Sequence, residues 1–141
     1  MSLVNILAQL NTIVTGIQAA AGINSIFSYM PTIVPKTPSV AILLSPSSEE
    51  VATSGQNTLN ANWTIRTMVL KNSDDPTQVN TLLTVVDSLL NELRLGANQY
   101  LNCNGYYVLS TGISEVKDDK VGNEPIWYID ISLATKAFKT I

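Results

Sequence analysis

Histidine is absent from this 141-residue chain. That excludes Ser/His/Asp and Cys/His nucleophilic catalysis, histidine-ligated metal sites and a histidine proton switch. Cysteine occurs once, as Cys103, so no internal disulfide forms. It stands between Asn102 and Asn104 without a basic neighbour to stabilise a thiolate, which makes it a poor nucleophile. Charge is scarce as well: Asp, Glu, Lys and Arg make up 13% of the chain, about half the usual share. Polar surface must come instead from 13 Ser, 14 Thr and 13 Asn. A net charge of −3 argues against binding nucleic acid through a basic surface.

No apolar run approaches the roughly 20 residues of a membrane span. The first charged side chain is Lys36, so no basic segment precedes the N-terminal apolar stretch as a secretory signal requires. A soluble protein, intracellular when made, is expected. Asn62-Trp63-Thr64 matches a glycosylation sequon, but so short a pattern arises by chance and falls within an expected strand.

What is present reads as one domain. Leu3, Leu7, Leu10, Val14 and Ile17, widened by Ile6 and Ile13, form the stripe of an amphipathic helix over Leu3–Ala20, with Gly22 suited to end it. Pro31, Pro35 and Pro38 make the next stretch extended, with a short strand at Ile26–Met30. The continuous apolar run Val40–Leu44 predicts a strand buried on both faces. Ser45–Asn57 reads as a long turn-rich loop. Leu59–Leu70 alternates with the period of a half-buried strand, Trp63 and Ile65 in its apolar phase.

A second helix begins with Asp75 as cap and Pro76 at its first position. Its stripe is Val79, Leu82, Val86, Leu89 and Leu93, widened by Leu83 and Leu90; Val85 lies off it and is expected to be exposed in a monomer. Tyr106–Val116 and Ile126–Ala134 predict a closing hairpin around a polar turn, Lys117–Glu124. Trp127 is expected in the core and Asp130 on the polar side. The fold class is α+β: an antiparallel or mixed sheet of about four strands with two amphipathic helices packed against it.

No phosphate loop, dinucleotide glycine pattern, metal-spaced cysteine set or nucleophile elbow is present. Asp74-Asp75 suits the positive end of the second helix, and Asp118-Asp119 lies between Lys117 and Lys120 in the expected turn. Glu49-Glu50 falls in the long loop. None of these brings two carboxylates into the perturbing environment that acid–base work requires. No catalytic residue, cofactor or metal is expected.

The distribution of charge is more informative. Residues 1–35 carry none, although they include a whole amphipathic helix, and the polar face of the second helix is nearly as mild. Freely solvated helix faces favour Glu and Lys, whereas neutral polar groups are easier to desolvate against a neighbour. Self-association is the expected consequence.

The order of elements — VNILAQLNTIVTGIQ, SVAILL, a polar loop, NANWTIRTMVL, DDPTQVNTLLTVVDSLLNELR, then GYYVLSTGI and IWYIDISL — resembles the tail terminator, or tail completion, proteins of long-tailed bacteriophages over nearly the whole chain. The resemblance is one of layout, since these proteins share no short invariant motif. It implies a non-enzymatic ring, usually a hexamer, at the head-proximal end of the tail tube within the virion. Such a ring stops tube growth, presents a surface to neck or connector proteins and lets DNA pass through its channel without specific binding. Its copies join through a heterologous interface that closes.

Candidate contacts with a neighbouring subunit or the tube are Glu49, Glu50, Val51 and Gln56 in the long loop, then Asp118, Asp119 and Lys120 in the hairpin turn. Arg66 and Lys36 are candidates for pairing with an acidic neighbour across a subunit boundary, and Val85 for an exposed apolar contact. Two alternatives remain open: another neck or head-completion ring of the same particle, and a small ligand-binding or enzymatic α+β domain with a concave polar pocket.

Overall fold

The structure, a computed structural model, describes residues 3–33, 36–51, 56–71, 76–95 and 106–140. In chain order it contains α1 (Leu3–Gly16), α2 (Gln18–Ala21), β1 (Ser25–Phe27), β2 (Ser39–Val51), β3 (Gln56–Leu70), α3 (Pro76–Leu93), β4 (Tyr106–Ile113), β5 (Lys117–Val121) and β6 (Glu124–Thr140). The class is α+β as expected, but among the described residues the mixed sheet has six strands and there are three helices.

The main sheet order is β1-β2-β3-β6-β4. β1 is parallel to β2, and the remaining pairs are antiparallel. β3 lies along one edge of β6 from Gln56↔Thr140 to Leu70↔Ile126. The other edge of β6 is shared: β4 takes its far part, Ile131 to Ala137, and β5 takes Glu124 to Tyr128.

Two expected loops contain strand in their described residues. Ser45–Asn57 was expected to be turn-rich, yet Glu49, Glu50 and Val51 pair with Leu59, Thr58 and Asn57 in an extended β2–β3 hairpin. Lys117–Val121 was expected to be a turn and forms β5 against β6. In both segments tertiary pairing overrides a turn-like composition.

The inner face of the sheet carries the main core. α1 buries Ile6, Leu10, Ile13 and Val14 over β1 and β2, and α3 lies over β3 and β6. Gly22, with φ 75°, ends α2 in the left-handed conformation. Leu82, Val86, Leu89, Leu90 and Leu93 of the α3 stripe are buried as expected, but it widens on the other flank: Val85 is buried at 1% exposure, while Leu83 is 43% exposed. Val85 is three residues after Leu82 and four before Leu89, so it shares their face of the helix. Its expected exposure, and with it an apolar surface contact through Val85, is corrected.

On β3, Trp63, Ile65, Thr67 and Val69 face the helices. The same phase places four isoleucines on one rung across the sheet: Ile42, Ile65, Ile131 and Ile113. β2 is buried from Ser39 to Ile42; Leu44, expected to be buried, is 52% exposed because it lies beyond the helical cover.

The outer face bears a smaller apolar cluster: Ala41, Met68, Val121 and Ile126, with Phe27, Leu43, Leu70 and Tyr128 packed around it. The stretch 28–33 crosses here and buries Pro31. A Cβ at Gly122, whose φ is +62°, would stand 2.8 Å from the Thr32 carbonyl oxygen.

Candidate functional site

Above that cluster the outer face changes character. Arg66 and Asp130 are direct partners across the β3–β6 ladder, and they mark the boundary. Arg66 Nε and Nη2 donate to the two carboxylate oxygens of Asp130 at 2.8 and 3.0 Å. The guanidinium also lies 4.3 Å from the centre of the Tyr128 ring and reaches Met30 Sδ at 4.0 Å. Asp130 is itself fixed by Ser114: its N–H donates to Ser114 Oγ at 2.9 Å, and its carbonyl accepts from Ser114 N–H at 2.8 Å. The Arg66 pKa is raised, chiefly by its hydrogen bonds to the Asp130 carboxylate, which outweigh partial burial. On the alkaline side, a raised value means that this stabilisation is lost only as pH rises through the folded-state guanidinium pKa.

In the two rungs next to this pair the outer face is neutral and built mostly from small side chains. The rungs Leu43–Thr64–Ser132–Gly112 and Ser45–Asn62–Ala134–Ser110 cross β2, β3, β6 and β4 in register. They floor an open hollow of about 410 Å³ whose lining includes no titratable side chain. Ser45 and Thr64 hydroxyls bond to each other at 2.7 Å across the hairpin. Acid–base chemistry has no group to act through in that lining. Among the described residues no cluster of three or more His, Cys, Asp or Glu side chains is placed to hold a metal ion. Nor, among the described residues, is any helix long and apolar enough to cross a membrane.

The sequence-derived candidates do not converge. Glu49 is exposed and its Oε1 accepts from Asn57 Nδ2 at 3.2 Å within the hairpin. Glu50 and Val51 close β2, and Gln56 opens β3. Their side chains lie outside the described residues, as do Asp74, Asp75, Gly96 and Cys103. Asp118 pairs with Lys71 at 3.2 Å, and Lys71 sits 4.3 Å from the Trp127 ring centre. Asp119 accepts from the Lys120 backbone N–H at 2.7 Å; both are exposed on β5. Lys36 is exposed, and its carbonyl accepts a hydrogen bond from Ser39 Oγ. Arg66 was a candidate for pairing across a subunit boundary; its partner is Asp130 of the same chain, because the ladder register brings the two together.

Sequence reasoning missed how the helices satisfy their hydroxyls. Thr12 on α1 donates to the Ala8 carbonyl. On α3, Thr81, Thr84 and Ser88 donate to the carbonyls of Thr77, Asn80 and Thr84. The spacing of four between each hydroxyl and its acceptor was the available signal.

No protein-family model and no curated protein matches the chain. Among solved structures, a chain from the virion of a native gene transfer agent particle has a similar fold. It superposes with a TM-score of 0.58 at 14% sequence identity, and the match covers 94% of each chain.

Proposed function

We propose that this protein is a structural component of a phage-like virion: a tail terminator that closes into a ring on the head-proximal end of the tail tube. The observation that carries the reading is the likeness of fold, along 94% of both chains, to a gene transfer agent virion chain. The order of elements in the sequence and its neutral surface lead to the same class by a separate route.

In this reading copies join head to tail until rotation closes the ring, six subunits in the family resembled. One ring face receives the last tube subunit and ends tube growth. The other meets a neck or connector protein, and DNA passes through the channel without specific binding. No cofactor, metal or catalytic residue takes part. The helix surfaces support such crowding: the outward hydroxyls of α3 are bonded to its own carbonyls, so covering them leaves no donor stranded. The neutral lining of the outer hollow supports it for the same reason.

The test mixes purified protein with tail tubes isolated from the same particle, followed by electron microscopy and light scattering. A single ring capping one end of each tube, with tube growth halted, is the expected result. Binding to portal complexes instead of tubes assigns the protein to the neck. A chain that stays monomeric and binds neither overturns the reading.

A further inference from the structure

We infer that copies of this chain join by strand addition: β4 of one copy pairs with β2 of the next in an antiparallel ladder over Ser110–Ile113 and Ile42–Ser45. This deepens the ring reading and rests on it for closure, but the ladder itself is argued from the two edges of the sheet.

β1 pairs with β2 only at Ser39, Val40 and Ala41. From Ile42 onward the outer edge of β2 has no strand beside it among the described residues, and neither does the outer edge of β4. An unpaired edge offers a row of backbone donors and acceptors to any chain that can lie along it. The two open edges stand at the same height. Counting across the rungs, Ile42 is level with Ile113 and Ser45 with Ser110.

Both edges are also interrupted at the same height. The β2 register shifts between Ser45 and Ser48, next to Pro46, which has no N–H to donate. The β4 register shifts between Val108 and Ser110. Each shift therefore bounds one end of a regular four-residue window, Ile42–Ser45 on β2 and Ser110–Ile113 on β4, and the windows match. Neither contains a charge or a proline, the usual devices that keep an edge from pairing.

Direction and side-chain chemistry agree. Following the antiparallel pairings from β2 through β3 and β6 to β4, β2 and β4 run oppositely. A neighbour related by rotation about an axis along the strands keeps its direction, so its β4 meets β2 antiparallel. The contact is heterologous and can continue around a ring. Leu44 and Ile113 are 52% and 54% exposed, and both lie on the helix-bearing face. In a level ladder the neighbour's Thr111 stands opposite Leu44, with its Ile113 on the adjacent diagonal, where large side chains still touch.

The test uses a Cys103→Ser background carrying Leu44→Cys or Thr111→Cys, linked with a short bis-maleimide in concentrated solution. The mixture of the two variants should give cross-linked dimer that neither gives alone, and a chain carrying both substitutions should give a series of multimers. Leu44→Lys and Ile113→Lys, with native circular dichroism, should lose this self-association in light scattering. Dimer from Leu44→Cys alone would mean a symmetric β2–β2 contact and would overturn the ladder. So would absence of any adduct, whether the parent chain is oligomeric or monomeric. Rings on tail tubes without the adduct would refute the ladder alone, while the adduct without tube binding would refute the tail role alone.

Discussion

Arg66 grips Asp130 with two parallel hydrogen bonds, 2.8 and 3.0 Å long, straight across the β3–β6 ladder. The two side chains are 22% and 17% exposed, so solvent screens the pair only in part. Truncating either member strands a half-buried charge. Arg66→Ala or Asp130→Ala should lower stability by about 1–3 kcal/mol in urea unfolding. Arg66→Lys should recover little of this, because an ammonium cannot reproduce the fork. A double-mutant cycle giving no coupling energy would contradict the account.

Thr135 and Thr67 are both buried threonines on the inner face, with opposite prospects. Thr135 Oγ1 accepts from Trp63 Nε1 at 3.2 Å and donates to the Ala61 carbonyl at 2.7 Å. Thr135→Val should cost about 1–3 kcal/mol by leaving the indole N–H and the carbonyl unpaired, with a change in tryptophan fluorescence. Thr67 Oγ1 has no hydrogen-bond partner among the described residues. Thr67→Val should therefore be neutral or stabilising by up to about 1 kcal/mol. Thermal melts of the two variants should separate them in opposite directions.

The exchange of Leu83 and Val85 on α3 gives a paired prediction. Val85→Glu places a carboxylate in the core and should abolish cooperative unfolding. Leu83→Glu, on the exposed side, should melt within about 0.5 kcal/mol of the parent chain. Circular dichroism on both variants decides which of the two residues faces inward.

Gly122→Ala meets two obstacles: a φ of +62° and a carbonyl oxygen 2.8 Å from the new methyl. It should destabilise by about 1–3 kcal/mol. Proteolysis within 28–33 should accelerate, since this stretch crosses the outer cluster beside that turn.

Legibility from the sequence followed the range of the forces involved. The alternation through Trp63 and Ile65 and the apolar stripes of α1 and α3 are local patterns, and they placed a strand and two helices correctly. Ser45–Asn57 and Lys117–Val121 carry the Ser, Gly, Asp and Lys of turns, and only their partners on β3 and β6 make them strands. Val85 and Leu83 differ by two residues in a helix whose apolar positions exceed one face, so spacing alone left open which of them faces inward. The Arg66–Asp130 bond needs the register of strands 64 residues apart, which no local pattern encodes. The matched edge windows needed four strands in register before they became visible.

The hydroxyls of Thr81, Thr84 and Ser88 point their hydrogens back along the helix, and that has a consequence for buffer conditions. What this helix turns outward is mostly neutral: Asn80, Thr81, Leu83, Thr84 and Asn91 are exposed beside the charges of Asp87 and Arg94. Contacts made through it would respond little to sodium chloride and would tighten in ammonium sulfate, the reverse of an assembly held by ion pairs.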